Sequence, residues 1–95
     1  MTLEDVLTTL RMHKPELQRK YPLSSIELFG SYARNEQNSD SDVDVMVEFS
    51  EPVGIEFVDL LIELEVILGK PVDLINKKSI RPKLKLFIEH DLITV

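Results

Sequence analysis

Three aspartates are the residues of this 95-residue chain best suited to chemistry. Asp42 and Asp44 lie two apart in the string Ser41-Asp42-Val43-Asp44. Aspartate is depleted in strands, so two on one strand face need a reason. Side chains two apart on a strand point the same way at about 6.5 Å. Two ionised carboxylates there repel by about 2.5 kcal/mol at an effective dielectric of 20. A divalent cation reverses that sign, because hard cations such as Mg²⁺ take one or two carboxylates and complete their shell with water and phosphate oxygens. The bland alternative is a solvated face whose acids keep a sheet edge soluble. Asp73 stands alone between Val72 and Leu74-Ile75. Inside such an apolar strand a carboxylate is costly to desolvate unless paired or metal-bound; an edge strand turning Asp73 to water is the alternative. Phe29-Gly30-Ser31 reads as a strand end entering a short helix, Tyr32-Ala33-Arg34. Glycine admits a ligand close to the backbone, and the free N–H groups of a helix start favour phosphate. The Ser31 hydroxyl adds a donor, and an ordinary turn is the alternative.

These residues must be positioned by the elements around them. Thr2 and Asp5 form a capping-box pattern, and Leu3, Val6, Leu7 and Leu10 recur at helical spacing, so a first helix is expected over about 2–12. Pro15 suits the first turn of a second short helix that ends near Tyr21-Pro22. Ser25 to Gly30 reads as a strand and Asn35 to Ser41 as a polar loop. Val43, Val45, Val47 and Phe49 then alternate with Asp42, Asp44, Met46 and Glu48, a strand with one core face. Phe57, Leu60, Leu61, Leu64, Ile67 and Leu68 mark the buried stripe of a helix over about 55–68, with Gly69 as its C-cap. Val72–Ile75 is a third strand, Pro82 starts a last helix with Leu84, Phe87 and Ile88 expected as its apolar side, and Leu92–Val95 supplies a short final strand. The class is α/β or α+β: a small mixed sheet flanked by helices, in a single domain over residues 1–95.

One geometric assumption joins the candidate residues. If Gly30 and Asp42 share a site, their strands run antiparallel. A helix over 55–68 spans about 21 Å and returns the chain to start a third strand parallel to the second. Asp73 then lies beside Asp42 and Asp44. All four features fall at one end of the sheet.

Composition narrows the function. Seventeen acids against eleven Lys and Arg leave a net charge of −6, which argues against extended nucleic-acid binding but leaves room for a local nucleotide site. No cysteine is present, so disulfides and thiol catalysis are excluded. No apolar run approaches the roughly 20 residues of a membrane span and no signal pattern opens the chain, so a cytoplasmic location is expected.

The order Gly30-Ser31, then Asp42-Val43-Asp44, then an apolar-flanked Asp73 resembles the nucleotidyltransferase superfamily that includes DNA polymerase β. Within it, Phe29-Gly30-Ser31-Tyr32-Ala33-Arg34 followed by Ser41-Asp42-Val43-Asp44 looks like the minimal nucleotidyltransferases, a likeness covering roughly residues 24–95. What the resemblance implies is a two-metal nucleotidyl transfer, with Mg²⁺ or Mn²⁺ as the ions and ATP as the substrate. It implies that Gly30 and Ser31 hold the triphosphate; Ser41 is also placed among the nucleotide-binding positions. Arg34 reads as a phosphate contact there or a partner contact, with a surface Arg in a polar turn as the alternative. It implies that Asp42 and Asp44 bind both metals, while Asp73 completes the catalytic site and helps deprotonate the incoming hydroxyl. Asn35 departs from a glycine common in relatives, and Asn tolerates left-handed backbone.

Relatives of this size are commonly antitoxin partners of HEPN-domain toxins and attach AMP to a toxin tyrosine. By resemblance, this chain is expected to be such a protein adenylyltransferase, in a hetero-oligomer with a HEPN-domain partner. The alternatives are an antitoxin that silences by contact alone, or nucleotidyl transfer to a small molecule or tRNA. Lys77, Lys78, Arg81, Lys83 and Lys85 could meet an acidic partner surface or steer nucleotide, or simply be solvated. Tyr32 is read either as a base-stacking ring or as a packed one, and His13 and His90 lie far from the motif.

Overall fold

A computed structural model describes residues 1–95. Its centre is a four-stranded mixed sheet in the order β3-β2-β1-β4. The chain runs α1 (Leu3–Lys20), β1 (Leu23–Phe29), α2 (Gly30–Ala33), β2 (Val43–Phe49), α3 (Glu56–Leu68), β3 (Val72–Asn76), α4 (Pro82–Ile88) and β4 (Ile93–Thr94), with a single 3₁₀ turn on each side of α4. The expected small mixed sheet flanked by helices is observed. No helix is long and apolar enough to cross a membrane.

The alternation in β2 sets the two faces. Val43, Val45 and Val47 are fully buried under α1 and α3, which supply Val6, Leu10 and Leu17 from one helix and Leu60, Leu64 and Leu68 from the other. The capping box forms as expected: the Asp5 N–H donates to Thr2 Oγ1 at 3.0 Å and the Thr2 N–H to Asp5 Oδ2 at 2.9 Å. Gly69 closes α3 in the left-handed region at φ 66°, the conformation glycine adopts without steric cost.

Two expectations are corrected. Residues 2–12 and 15–21 do not form two helices; α1 is continuous and carries Pro15 in its interior. Pro15 deletes one i→i−4 hydrogen bond, a defect of about 3 kcal/mol in an isolated helix. The buried stripe runs on through it to Leu17, and that packing holds the second half in line with the first. Nor does β2 have only one core face. Met46, on the side opposite the valines, is 1% exposed and packs with Phe29 and Ile88 in a second, smaller cluster under α4. A single methionine among acids gave no periodic signal for it.

The strand pairings position the acids. β1 and β2 are antiparallel with Phe29 opposite Asp44. β2 and β3 are parallel with Asp44 opposite Asp73. Phe29, Asp44 and Asp73 thus form one row across three strands, on the face away from α1 and α3. Asp42 precedes the first residue of β2.

Candidate active site

The row opens where β1 ends. Gly30 turns the chain from β1 into α2 at φ 74°, a conformation L-residues rarely adopt. A Cβ at this position would fall within the Asp44 carboxylate, 2.8 Å from its Cγ. Glycine is required there for backbone reasons and for space alike. It lets the first turn of α2, whose leading N–H groups have no intrahelical acceptor, abut the acid directly. Ser31 lies in that turn, partly exposed.

The three aspartates differ in environment. Asp42 and Asp73 are exposed, and Asp44 is half-buried between them. Burial and, after it, the charges of Asp73 and Asp42 push the Asp44 carboxyl up to about 6, against a smaller opposing pull from Arg34. Asp73 is on an edge strand and open to water, so the desolvation cost expected for it does not arise. Its significance is its register with Asp44, not its burial. No three acidic or histidine side chains enclose one point as a ready-made metal cage. The donor set nevertheless suits a hard cation that takes few protein ligands, since Mg²⁺ leaves most of its shell to water and phosphate. Oxygen donors only, with a carboxyl destabilised by like charges, are what such an ion relieves.

The remaining candidates divide. Arg34 extends from the end of α2 to Glu36 at 3.4 Å and Asp91 at 3.3 Å, at the rim of the hollow that contains Asp73. Ser41 is engaged in the loop: its Oγ accepts from the Asn38 N–H at 3.0 Å, while the Asp40 N–H donates to Asn38 Oδ1 at 2.9 Å. These bonds shape the turn that delivers Asp42. Asn35 has φ 58°, so the left-handed turn is kept without glycine. Tyr32 is 1% exposed with Lys70 Nζ 5.4 Å from its ring centre; it is a packed ring and not a stacking platform. His13 Nδ1 lies 2.9 Å from the Thr9 carbonyl within α1, away from the acids.

Sequence reasoning missed the far wall. A hollow of about 260 Å³ lies against the row, bounded by Gly30, Asp73 and Arg34 on one side and by Leu84, Phe87, Ile88 and Asp91 on the other. The residues of α4 and the turn after it reach the site only through the tertiary fold, and their spacing alone carried no hint of it.

Residues 10–95 match the family described as "Nucleotidyltransferase domain". A Methanocaldococcus jannaschii protein provisionally named as a protein adenylyltransferase is 53% identical, over 99% of this chain and 98% of its own length. The Thermococcus cleftensis protein adenylyltransferase MntA is 38% identical over 100% of this chain and 97% of its own. Among solved structures, one provisionally described as a minimal nucleotidyltransferase superposes with a TM-score of 0.85 at 28% identity, covering 100% of this chain and 97% of that one. A toxin–antitoxin complex solved with AMP-PNP superposes at 0.71 and 25% identity, covering 99% of this chain and 72% of that one.

Proposed function

Since the chain belongs to the nucleotidyltransferase domain family, in its minimal form, we propose that it transfers AMP from ATP to a tyrosine hydroxyl of a HEPN-domain partner and so acts as that partner's antitoxin. The observation that carries the reading is the row in which Asp44 is paired with Phe29 on one side and Asp73 on the other, with Gly30 against its carboxylate. A strand-to-helix turn beside paired acids at one sheet end supports this reading, because nucleotidyl transfer needs a phosphate site next to metal-binding carboxylates.

In this reading the first turn of α2 receives the triphosphate through its N–H groups and the Ser31 hydroxyl. Arg34 is the cation at the rim of the hollow and would exchange its contacts with Glu36 and Asp91 for a phosphate oxygen. Asp42, Asp44 and Asp73 would hold two divalent ions, Mg²⁺ or Mn²⁺. When bound, the ions stabilise the charge on the attacking and leaving oxygens of an in-line displacement. The acceptor oxygen attacks the α-phosphorus, the bond to the bridging oxygen of the β-phosphate breaks, and pyrophosphate leaves. The hydroxyl proton passes to the Asp73 carboxylate, which is exposed and therefore open to an incoming acceptor. Asp44, in the middle of the row, fixes the spacing between the nucleotide and acceptor sides.

The test is direct. The purified chain, its cognate HEPN-domain partner, ATP and Mg²⁺ are combined, and the partner is weighed by intact-mass spectrometry. One AMP adduct on a tyrosine is expected, and none with Asp44→Asn or Asp73→Asn. An unmodified partner under conditions where a related adenylyltransferase labels its own would overturn the reading. An Asp44→Asn chain that still neutralises the partner fully in cells would favour contact without chemistry.

A further inference from the structure

The five basic residues between Lys77 and Lys85 do not act as one patch. Lys77 reaches over the sheet to Glu27 at 3.2 Å, and Lys78 donates to the Phe49 carbonyl at 3.1 Å. Both are engaged by contacts within the chain. Lys85 sits 3.9 Å from Glu89 on its own helix. Arg81 and Lys83 make no ion pair, and both line a second, shallow hollow of about 440 Å³ beside α4. That hollow shares Leu84 and Phe87 with the one that contains Asp73. Leu84 and Phe87 thus form an apolar ridge, acid on one flank and basic on the other.

The ridge is open to solvent although it consists of large apolar side chains: Leu84 is 47% and Phe87 76% exposed. Such side chains on a short helix are normally turned inward, and here only Ile88 of that helix is buried. An apolar surface that runs from the candidate centre past it to Arg81 and Lys83 suits a macromolecular substrate, which contacts both flanks at once. We infer that α4 is the docking site for the acceptor segment of the protein substrate. That segment presents its hydroxyl side chain in the hollow beside Asp73, lays an apolar residue on the Leu84–Phe87 ridge, and brings a carboxylate to Arg81 and Lys83. The inference rests on the reading of the chain as a protein-modifying transferase, and adds which surface selects the protein and with what chemistry. Charge complementarity fixes the sign of the flanking residue, and continuity with the Asp73 hollow fixes its side.

The test separates docking from transfer. The full chain is paired with its HEPN-domain partner, and affinity is measured by biolayer interferometry without nucleotide at two salt concentrations. Transfer is measured in parallel by intact mass. Phe87→Glu and the double variant Arg81→Glu/Lys83→Glu are expected to weaken partner binding at least tenfold, with most of the salt dependence lost in the double variant. All three substituted residues are exposed, so thermal melting should be unchanged, and the double variant, whose residues lie outside the Asp73 hollow, should also retain the melting shift given by Mg²⁺ and ATP. Ile62→Glu and Val66→Glu on the outer face of α3, 55% and 78% exposed, serve as controls and should bind normally. Wild-type affinity in the α4 variants overturns the inference, and so does loss confined to the α3 variants. If the wild-type chain binds but transfers nothing, while Phe87→Glu loses binding, the docking surface stands and the proposed reaction falls.

Discussion

Replacing Asp44 by Asn should make the metal-free protein more stable while destroying transfer. A carboxyl held at about 6 in the fold and at 3.8 when unfolded is worth about 3 kcal/mol against folding at neutral pH. Asp44 keeps part of its contact with water, and screening reduces this to about 1–2 kcal/mol. The sign follows from proton uptake. Below 3.8 the group is protonated in both states and contributes no penalty. Between 3.8 and about 6 the native state binds more protons, so stability falls as pH rises through that window and levels off above it. Asn mimics the neutral acid and removes this dependence. Urea unfolding in EDTA at pH 7.5 should give Asp44→Asn a midpoint higher by about 1 M, since small proteins lose roughly 1–3 kcal/mol per molar urea. The two proteins should converge at pH 4, where wild-type Asp44 is largely protonated. Millimolar Mg²⁺ at pH 7.5 should raise the wild-type midpoint and leave the variant unchanged. An Asp44→Asn midpoint at or below wild type at pH 7.5 would refute the electrostatic argument.

Gly30→Ala should cost about 2 kcal/mol by urea unfolding and abolish transfer, because its methyl meets the Asp44 carboxylate and its φ is left-handed. A variant with normal activity would show that the turn rearranges freely. Asp73→Asn, on an exposed edge position, should change stability by less than about 0.5 kcal/mol yet eliminate the AMP adduct; a large loss of stability would mean that Asp73 is structural. Pro15→Ala should raise thermal stability by about 1–3 kcal/mol by restoring a helical hydrogen bond. A lower melting temperature would show that the proline is required by its surroundings.

Much of the placement of these acids is legible in the sequence, and the reasons are local. The valines of β2 alternate so strictly that their polar partners had to share the other face, and a helix of the length of α3 sufficed to bring Asp73 alongside them in parallel. Glycine at a strand end was visible, though its close approach to Asp44 was not. What escaped the sequence depends on distant contacts. Pro15 looked like a helix start because the packing of Leu17 that overrides it is tertiary. Met46 looked solvent-facing because Ile88, which covers it, is half the chain away. Asp73 looked costly to bury because an apolar string gives no sign of whether its strand is central or at the edge.

The parallel pairing of Asp44 with Asp73 also orders events in time. Phe29 and Asp44 meet through an antiparallel pair joined by a loop and one helical turn, a contact of modest loop-closure cost. Asp44 and Asp73 are separated by the whole of α3 and pair in parallel, a non-local contact of the kind that slows folding. On a ribosome, Gly30 and the first turn of α2 emerge well before Asp73 does. A nascent or truncated chain therefore carries only part of the acidic row, and the row is complete only once the sheet has closed.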